Sequence, residues 1–90
     1  MDVRRVVGTN LRRLRLERGL SQEALAHDAD IAPSFLSQME NGKRSPTITM
    51  LQGLADTLRV SIVEFFADTK QHETPKPLAR GRRTKRRVRR

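Results

Sequence analysis

Apolar residues in the first part of the chain recur at the three- and four-residue spacings of amphipathic helices. The first such stripe consists of Val3, Val7, Leu11 and Leu14. This stripe predicts a first helix over residues 3–18 whose apolar face lies against the core. Gly19 follows directly, and glycine at this position can take the left-handed conformation that closes a helix end. The first helix is therefore expected to end there.

Capping and turn residues delimit two shorter helices in the middle of the chain. Ser21 is a good N-cap for a second helix over residues 22–29. Pro33 suits the first turn of a third helix, because its missing N–H would have no partner there in any case. Asn41-Gly42 ends this third helix, and residues 43–46 form a turn. The predicted inward-facing residues of the two helices are Leu25, Ala29, Leu36 and Met39.

Two more helices complete the predicted domain. Thr47 can cap a fourth helix, in which Gly53 costs about 1 kcal/mol relative to alanine. Its predicted inner face consists of Ile48, Leu51, Leu54, Ala55 and Leu58. Ser61 caps a short fifth helix that ends at residues 65–66. Since neither a strand pattern nor an internal repeat is present, the sequence predicts a compact all-α domain of five helices over residues 1–68.

The charge of the chain is concentrated outside this predicted domain. The formal net charge is +9, but residues 1–68 hold nine Lys/Arg and nine Asp/Glu, whereas residues 69–90 hold ten Lys/Arg and a single Glu. The last segment has no periodic apolar face, so we expect a basic tail that is disordered when free. Any charged face of the domain must then come from uneven placement of its charges.

Several classes of protein are disfavoured by the composition. The chain has no cysteine, and His27 and His72 are far apart, so neither a metal site nor a cofactor is predicted. No cluster of nucleophile and base and no glycine-rich phosphate loop is visible, which disfavours an enzyme. No apolar run approaches the length that spans a membrane, and residues 1–10 lack a signal-peptide core, so we expect a cytoplasmic protein.

The face of the third helix opposite its apolar residues is polar. It carries Ser34, Ser37, Gln38 and Asn41 at spacings of three, four and three. Short hydroxyl and amide side chains suit the edges of bases in the major groove, and glutamine can bond adenine at two points. A polar stripe by itself is more often only a solvated helix face. Both interpretations stay open on this pattern alone.

Three segments together give a more specific signal. They are Leu20-Ser21-Gln22-Glu23-Ala24-Leu25-Ala26, then the run from Ser34 through Ser37-Gln38 and Glu40-Asn41-Gly42-Lys43-Arg44 to Pro46, then Leu51, Leu54, Ala55 and Leu58. Over about residues 7–66 the chain resembles the phage-repressor and Cro type helix-turn-helix family, also called XRE. The resemblance implies a five-helix lambda-repressor-like domain with a helix-turn-helix at about 22–41. It also implies that the third helix enters the major groove of double-stranded DNA.

The resemblance also implies roles for individual residues. Gln22 resembles a glutamine that contacts a phosphate. Pro33, Ser34 and Gln38 fall where family members contact bases, with Phe35 and Ser37 as neighbours that touch a thymine methyl or a phosphate. The segment that grips phosphate after the recognition helix corresponds to Asn41, Lys43 and Arg44. Arg15 and Glu40 match an ion pair that ties the first helix to the end of the third, although an ordinary exposed arginine is the alternative for Arg15.

Three residues depart from the family pattern. Asp30 stands in the turn where glycine is frequent, and aspartate tolerates positive φ fairly well. Arg59 occupies the position of glycine in a common Leu-Gly-Val sequence, so we expect the fourth helix to end differently. Pro33 offers no side-chain hydrogen bond at a base-reading position. Specificity should then rest on Ser34 and Gln38, and a contribution from the loop on the phosphate side stays open.

The expected function is that of a sequence-specific regulator of transcription, most simply a repressor that binds a palindromic operator. The family usually binds as a homodimer, and the apolar residues Val60, Ile62, Val63 and Phe66 are either its interface or the end of the core. Some members activate transcription through an acidic face on helix two, so a contact of Glu23 with RNA polymerase stays open. The alternative is an antitoxin or adaptor-type interaction module whose tail supplies nonspecific nucleic-acid affinity.

Overall fold

The computed structural model describes residues 2–68 and has no strand within them. Its elements in chain order are α1 (Val3–Glu17), α2 (Gln22–Ala29), α3 (Pro33–Glu40), α4 (Ile48–Leu58) and a 3-10 helix (Ile62–Phe66). The all-α class and the positions of the five predicted helices are thus confirmed. The fifth is a 3-10 helix, a form that proteins use in short segments. The predicted tail over 69–90 lies outside the described residues.

Side-chain caps begin four of these five elements. The hydroxyl oxygens of Ser21 and Thr47 each accept a hydrogen bond from the backbone N–H three residues later, at 3.0 Å. Ser61 Oγ accepts one from the backbone of Val63 at 3.2 Å, and Asp2 caps α1 in the same way. Each cap satisfies an N–H that the helix itself leaves without a partner. The three caps predicted from the sequence, at Ser21, Thr47 and Ser61, are confirmed.

Residues in the left-handed conformation follow the ends of α1, α2 and α4. Gly19, Asp30 and Arg59 have φ of 69°, 60° and 60°. At the end of α4, Val60 N donates to Ala55 O at 3.0 Å, the bond that closes a helix in a Schellman motif. The expectation that Arg59 would make α4 end differently is wrong. The closing hydrogen bonds hold Arg59 in a conformation that its own Cβ disfavours.

Replacing Arg59 with glycine is expected to raise the free energy of unfolding by about 0.5–1 kcal/mol, because glycine has no Cβ to strain at positive φ. The carbonyl of residue 59, which accepts a hydrogen bond from Arg18 Nη2, remains in the variant. Thermal unfolding followed by circular dichroism measures the change. Asp30→Gly is the matched control, and its gain should be smaller because aspartate tolerates this conformation. An Arg59→Gly variant that is no more stable than the parent would show that the backbone of Arg59 is not strained.

One apolar core joins all five elements. It consists of Val7, Leu11, Leu14, Leu25, Ala26, Leu36, Met39, Leu51, Leu54, Ala55, Leu58 and Phe65. Two residues predicted on inner faces lie outside it, since Val3 is 50% and Ile48 is 72% exposed. Each is the first residue of its helix, at an end that extends past the core. The periodic pattern was therefore wrong at these two positions.

Two residues of α1, the polar Asn10 and the small Gly8, determine how neighbouring elements pack against this helix. Asn10 is fully buried, and its Nδ2 donates hydrogen bonds to the carbonyls of Phe65 and Ala67 at 2.9 and 2.8 Å. A Cβ built on Gly8 would lie 2.3 Å from the carbonyl oxygen of Met39, so only glycine lets α1 approach the end of α3 this closely. Asn10 anchors the 3-10 helix, and Gly8 sets the position of α3.

Candidate nucleic-acid interface

The turn between α2 and α3 is set by backbone geometry at both of its ends. Asp30, in the left-handed conformation, stops α2, and Ile31 N donates to Ala26 O at 2.9 Å. Ala32 then takes an extended conformation, as a residue before proline prefers, and Pro33 opens α3. The turn places α3 across the end of α2, where Leu25 and Leu36 are both fully buried in the shared core. This is the helix-turn-helix arrangement predicted for residues 22–41.

The two faces of α3 have the burial that the sequence predicted. Leu36 and Met39 are completely buried. Ser34 and Gln38 are exposed on the other side, as is Pro33 at the start of the helix. Ser34 and Gln38 are therefore accessible from solvent, while Leu36 and Met39 hold α3 against the core.

The remaining predicted base-contact neighbours are less accessible. Phe35 and Ser37 are only partly exposed, and the ring of Phe35 packs against the core. Arg44 lies over this ring, with the guanidinium carbon 4.9 Å from the ring centroid. Phe35 thus supports another side chain of the surface, which the sequence did not predict.

The segment after α3 returns to the same surface. Gly42 has φ of 76°, and Lys43 N donates to Gln38 O at 2.8 Å, so the chain reverses tightly at the end of the helix. Asn41, Lys43 and Arg44 are exposed. Two cationic side chains consequently stand next to the polar face of α3, a placement that suits contact with DNA phosphates.

Arg5 adds a third cation to this edge of the domain. A Cβ built on Gly42 would lie 2.9 Å from Cγ of Arg5, so the start of α1 touches the reversal after α3. Arg5 is exposed. Arg5 was not predicted from the sequence, because nothing local signals that the first turn of α1 lies beside residue 42.

Arg15 and Glu40 form a buried ion pair beneath this surface. Arg15 Nε lies 2.6 Å and its Nη2 3.0 Å from the two carboxylate oxygens of Glu40, a two-point contact. Only 9% of the Arg15 side chain and 2% of the Glu40 side chain are exposed, so Arg15 is not an ordinary exposed arginine. The hydrogen bond from Arg15 to Glu40 raises the pKa of the arginine above its usual value.

Two further contacts complete this network. Arg15 Nη1 donates to the carbonyl of Leu20 at 2.7 Å, and Gln22 Nε2 donates to Glu40 Oε1 at 3.0 Å. Gln22 is half-buried, and this bond engages one of its amide hydrogens within the protein. The network joins α1, the start of α2 and the end of α3, and it therefore fixes the angle at which α3 is presented.

Residues 2–68 also bear on metal binding and on membrane insertion. No group of three or more His, Cys, Asp or Glu side chains in this range could hold a metal ion. None of the helices described is long and apolar enough to cross a membrane. His27 is exposed on α2, whereas His72 lies outside the described residues.

Comparison with known proteins gives the same family from sequence and from structure. The helix-turn-helix family model matches residues 11–65. The uncharacterized HTH-type transcriptional regulator y4dJ of Sinorhizobium fredii is 44% identical over 75 residues, which cover 83% of this chain and 95% of that protein.

Solved structures of the same kind share the fold. The restriction-modification controller protein C.AhdI of Aeromonas hydrophila superposes with a TM-score of 0.68 at 33% identity, over 70% of this chain and 96% of that one. An HTH_3 family transcriptional regulator from Vibrio cholerae gives a TM-score of 0.70 at 36% identity, over 80% of this chain and 42% of that one. The chain therefore belongs to the XRE-type helix-turn-helix family of DNA-binding transcriptional regulators, which are not enzymes.

Proposed function

We propose that this protein is a sequence-specific repressor that binds a palindromic operator with α3 in the major groove. The observation that carries the proposal is the outward exposure of Ser34 and Gln38 on a helix whose opposite side, Leu36 and Met39, is completely buried. Hydroxyl and amide groups on such a helix can bond base edges directly. A repressor needs nothing more of the protein than occupancy of a promoter.

The cations around α3 supply the sequence-independent part of the proposed interface. Arg5 and Lys43 lie at the edge where α1 meets the segment after α3. Contacts from such residues to phosphate position a protein on DNA without reading its sequence. The ten Lys/Arg of residues 69–90 would add affinity of the same kind and make binding strongly dependent on salt.

A homodimer is part of the proposal, because a palindromic operator mirrors a twofold protein. Of the four apolar residues predicted for the interface, Val63 is 68% and Phe66 is 47% exposed. Val60 and Ile62 pack partly against the core, so they contribute to its closure instead. Exposed Val63 and Phe66 support a contact between two copies at the 3-10 helix. A contact of Glu23, exposed in the first turn of α2, with RNA polymerase stays a prediction.

The reading role of α3 is tested by Gln38→Ala. On a DNA site selected by the unmodified protein, this variant should raise Kd about tenfold or more, because a good side-chain-to-base contact contributes about 1–3 kcal/mol. Its Kd for random duplex at the same salt should not change. Competition binding with labelled duplex measures both constants.

The matched control is Gln52→Ala, which removes an exposed glutamine of α4 whose amide donates a hydrogen bond to Asp56. This control should leave both constants unchanged. An equal loss on selected and random duplex in Gln38→Ala would contradict base reading by α3. It would favour the alternative of an interaction module with nonspecific nucleic-acid affinity.

A further inference from the structure

Arg44 is held on the surface of α3 by two contacts that fix its position. Its Nε donates a hydrogen bond to Oε1 of Gln38 at 2.8 Å. Its guanidinium also lies over the ring of Phe35, at a distance where a cation is attracted to an aromatic face. Because Phe35 packs against the core, the ring is a firm support. Gln38 and Arg44 thus form a pair that exists before any DNA is bound.

This pairing changes what Gln38 offers to a base. A free glutamine reads adenine by donating to N7 and accepting from the N6 amino group, so it needs its carbonyl oxygen as an acceptor. In this protein that oxygen already accepts from Arg44. Its second lone pair lies beside a positive charge, which repels the partly positive hydrogens of an amino group. Two-point recognition of adenine by Gln38 is therefore disfavoured.

The Gln38–Arg44 pair presents hydrogen-bond donors to a base, whereas a free glutamine presents both a donor and an acceptor. The hydrogen bond to Gln38 uses Nε of Arg44 and not the four N–H groups on Nη1 and Nη2, and Nε2 of Gln38 carries two more donors. Among the base edges in the major groove, guanine alone offers two adjacent acceptors, O6 and N7. Guanine is consequently the base that complements this donor set.

We propose that Gln38 and Arg44 act as one composite reader that selects guanine at a single base pair of the binding site. This inference rests on the proposed function, because it requires α3 to lie in the major groove. It assigns Arg44 to base recognition, whereas the resemblance to the family implied a grip on phosphate. It also makes Phe35 a positioning residue for Arg44.

The test is selection of bound duplexes from a random pool by the full chain and by three single variants: Gln38→Ala, Arg44→Ala and Lys43→Ala. The unmodified protein should require guanine at one base pair, and Gln38→Ala should lose the preference at that pair. Arg44→Ala should exchange guanine for adenine there, by about tenfold or more, because Oε1 of Gln38 becomes free to accept. Lys43→Ala, the exposed neighbouring cation, should select the unchanged sequence with lower affinity for every duplex.

Several outcomes would overturn the composite reader. One is an Arg44→Ala variant that keeps the guanine and loses affinity evenly on all duplexes; Arg44 would then contact phosphate only, and the regulator function would stand. Another is that Gln38→Ala and Arg44→Ala alter different base pairs. If the unmodified protein selects no sequence at all, the proposed function fails and this inference fails with it. Circular dichroism verifies that each variant keeps its helix content.

Discussion

Replacing Glu40 with alanine is expected to lower the free energy of unfolding by about 3–5 kcal/mol, the usual cost of removing one partner of a buried ion pair. Arg15 would keep its charge with only 9% of its side chain exposed. It would also lose both of its hydrogen bonds to the carboxylate, and Gln22 would lose its acceptor. Urea unfolding followed by circular dichroism measures the change. In a domain of this size the midpoint of thermal unfolding should fall by more than about 10 °C.

The double variant Arg15→Leu with Glu40→Leu distinguishes two contributions to the free energy of unfolding. One is the cost of a buried charge without a partner, and the other is the net stabilisation by the ion pair. Because it leaves no unpaired charge in the interior, it should be less destabilised than Glu40→Ala. A double variant that is destabilised by the sum of the two single substitutions would contradict this explanation. The pair would then be a strong net contributor to stability.

Gly8→Ala is expected to be the second large effect, with a loss of about 2–3 kcal/mol from overpacking. The added methyl group would lie 2.3 Å from the carbonyl oxygen of Met39 and 2.8 Å from that of Glu40. Both obstacles are backbone atoms at the end of α3, so relief requires α1 and α3 to separate. This loss should exceed the helix propensity that alanine gains over glycine, about 1 kcal/mol. Thermal and urea unfolding give the magnitude.

Gly53→Ala is the matched control for this substitution. Gly53 also lies inside a helix, but a Cβ built on it meets nothing within 4 Å. The same chemical change should therefore raise the free energy of unfolding by up to about 1 kcal/mol, through helix propensity alone. Opposite signs for the two variants are the expected result. If Gly8→Ala were as stable as the parent, the close approach of α1 to α3 would not be a constraint.

Local signals in the sequence were sufficient to place the elements of this domain. The cap at Ser21, the turn before Pro33 and the helix end at Gly19 each depend on the chemistry of one or two residues, and all three were predicted correctly. The spacing of apolar residues along the chain also predicted that Leu36 and Met39 form the buried side of α3. It was wrong at helix starts such as Ile48, because the period does not tell where a helix passes the edge of the core.

Contacts between elements were predictable only where the family resemblance supplied them. The contact between Arg15 and Glu40, 25 positions apart, followed from the resemblance and not from the spacing. The burial of Asn10, the close approach at Gly8 and the pairing of Gln38 with Arg44 carry no local signal. Each depends on which side chains the tertiary structure brings together. The sequence consequently predicted the exposed face of α3 better than the contacts that hold α3 in place.

Sequence-specific regulation by this protein depends most on whether the exposed face of α3 reads base sequence. The most direct measurement is the ratio of Kd for random duplex to Kd for the duplexes that the full chain selects from a random pool, at one fixed salt concentration. A sequence-specific regulator should give a ratio on the order of 10³ or more, with two half-sites about 34 Å apart along the DNA. A ratio near one would contradict base reading by α3, since all binding would then come from cations that contact phosphate.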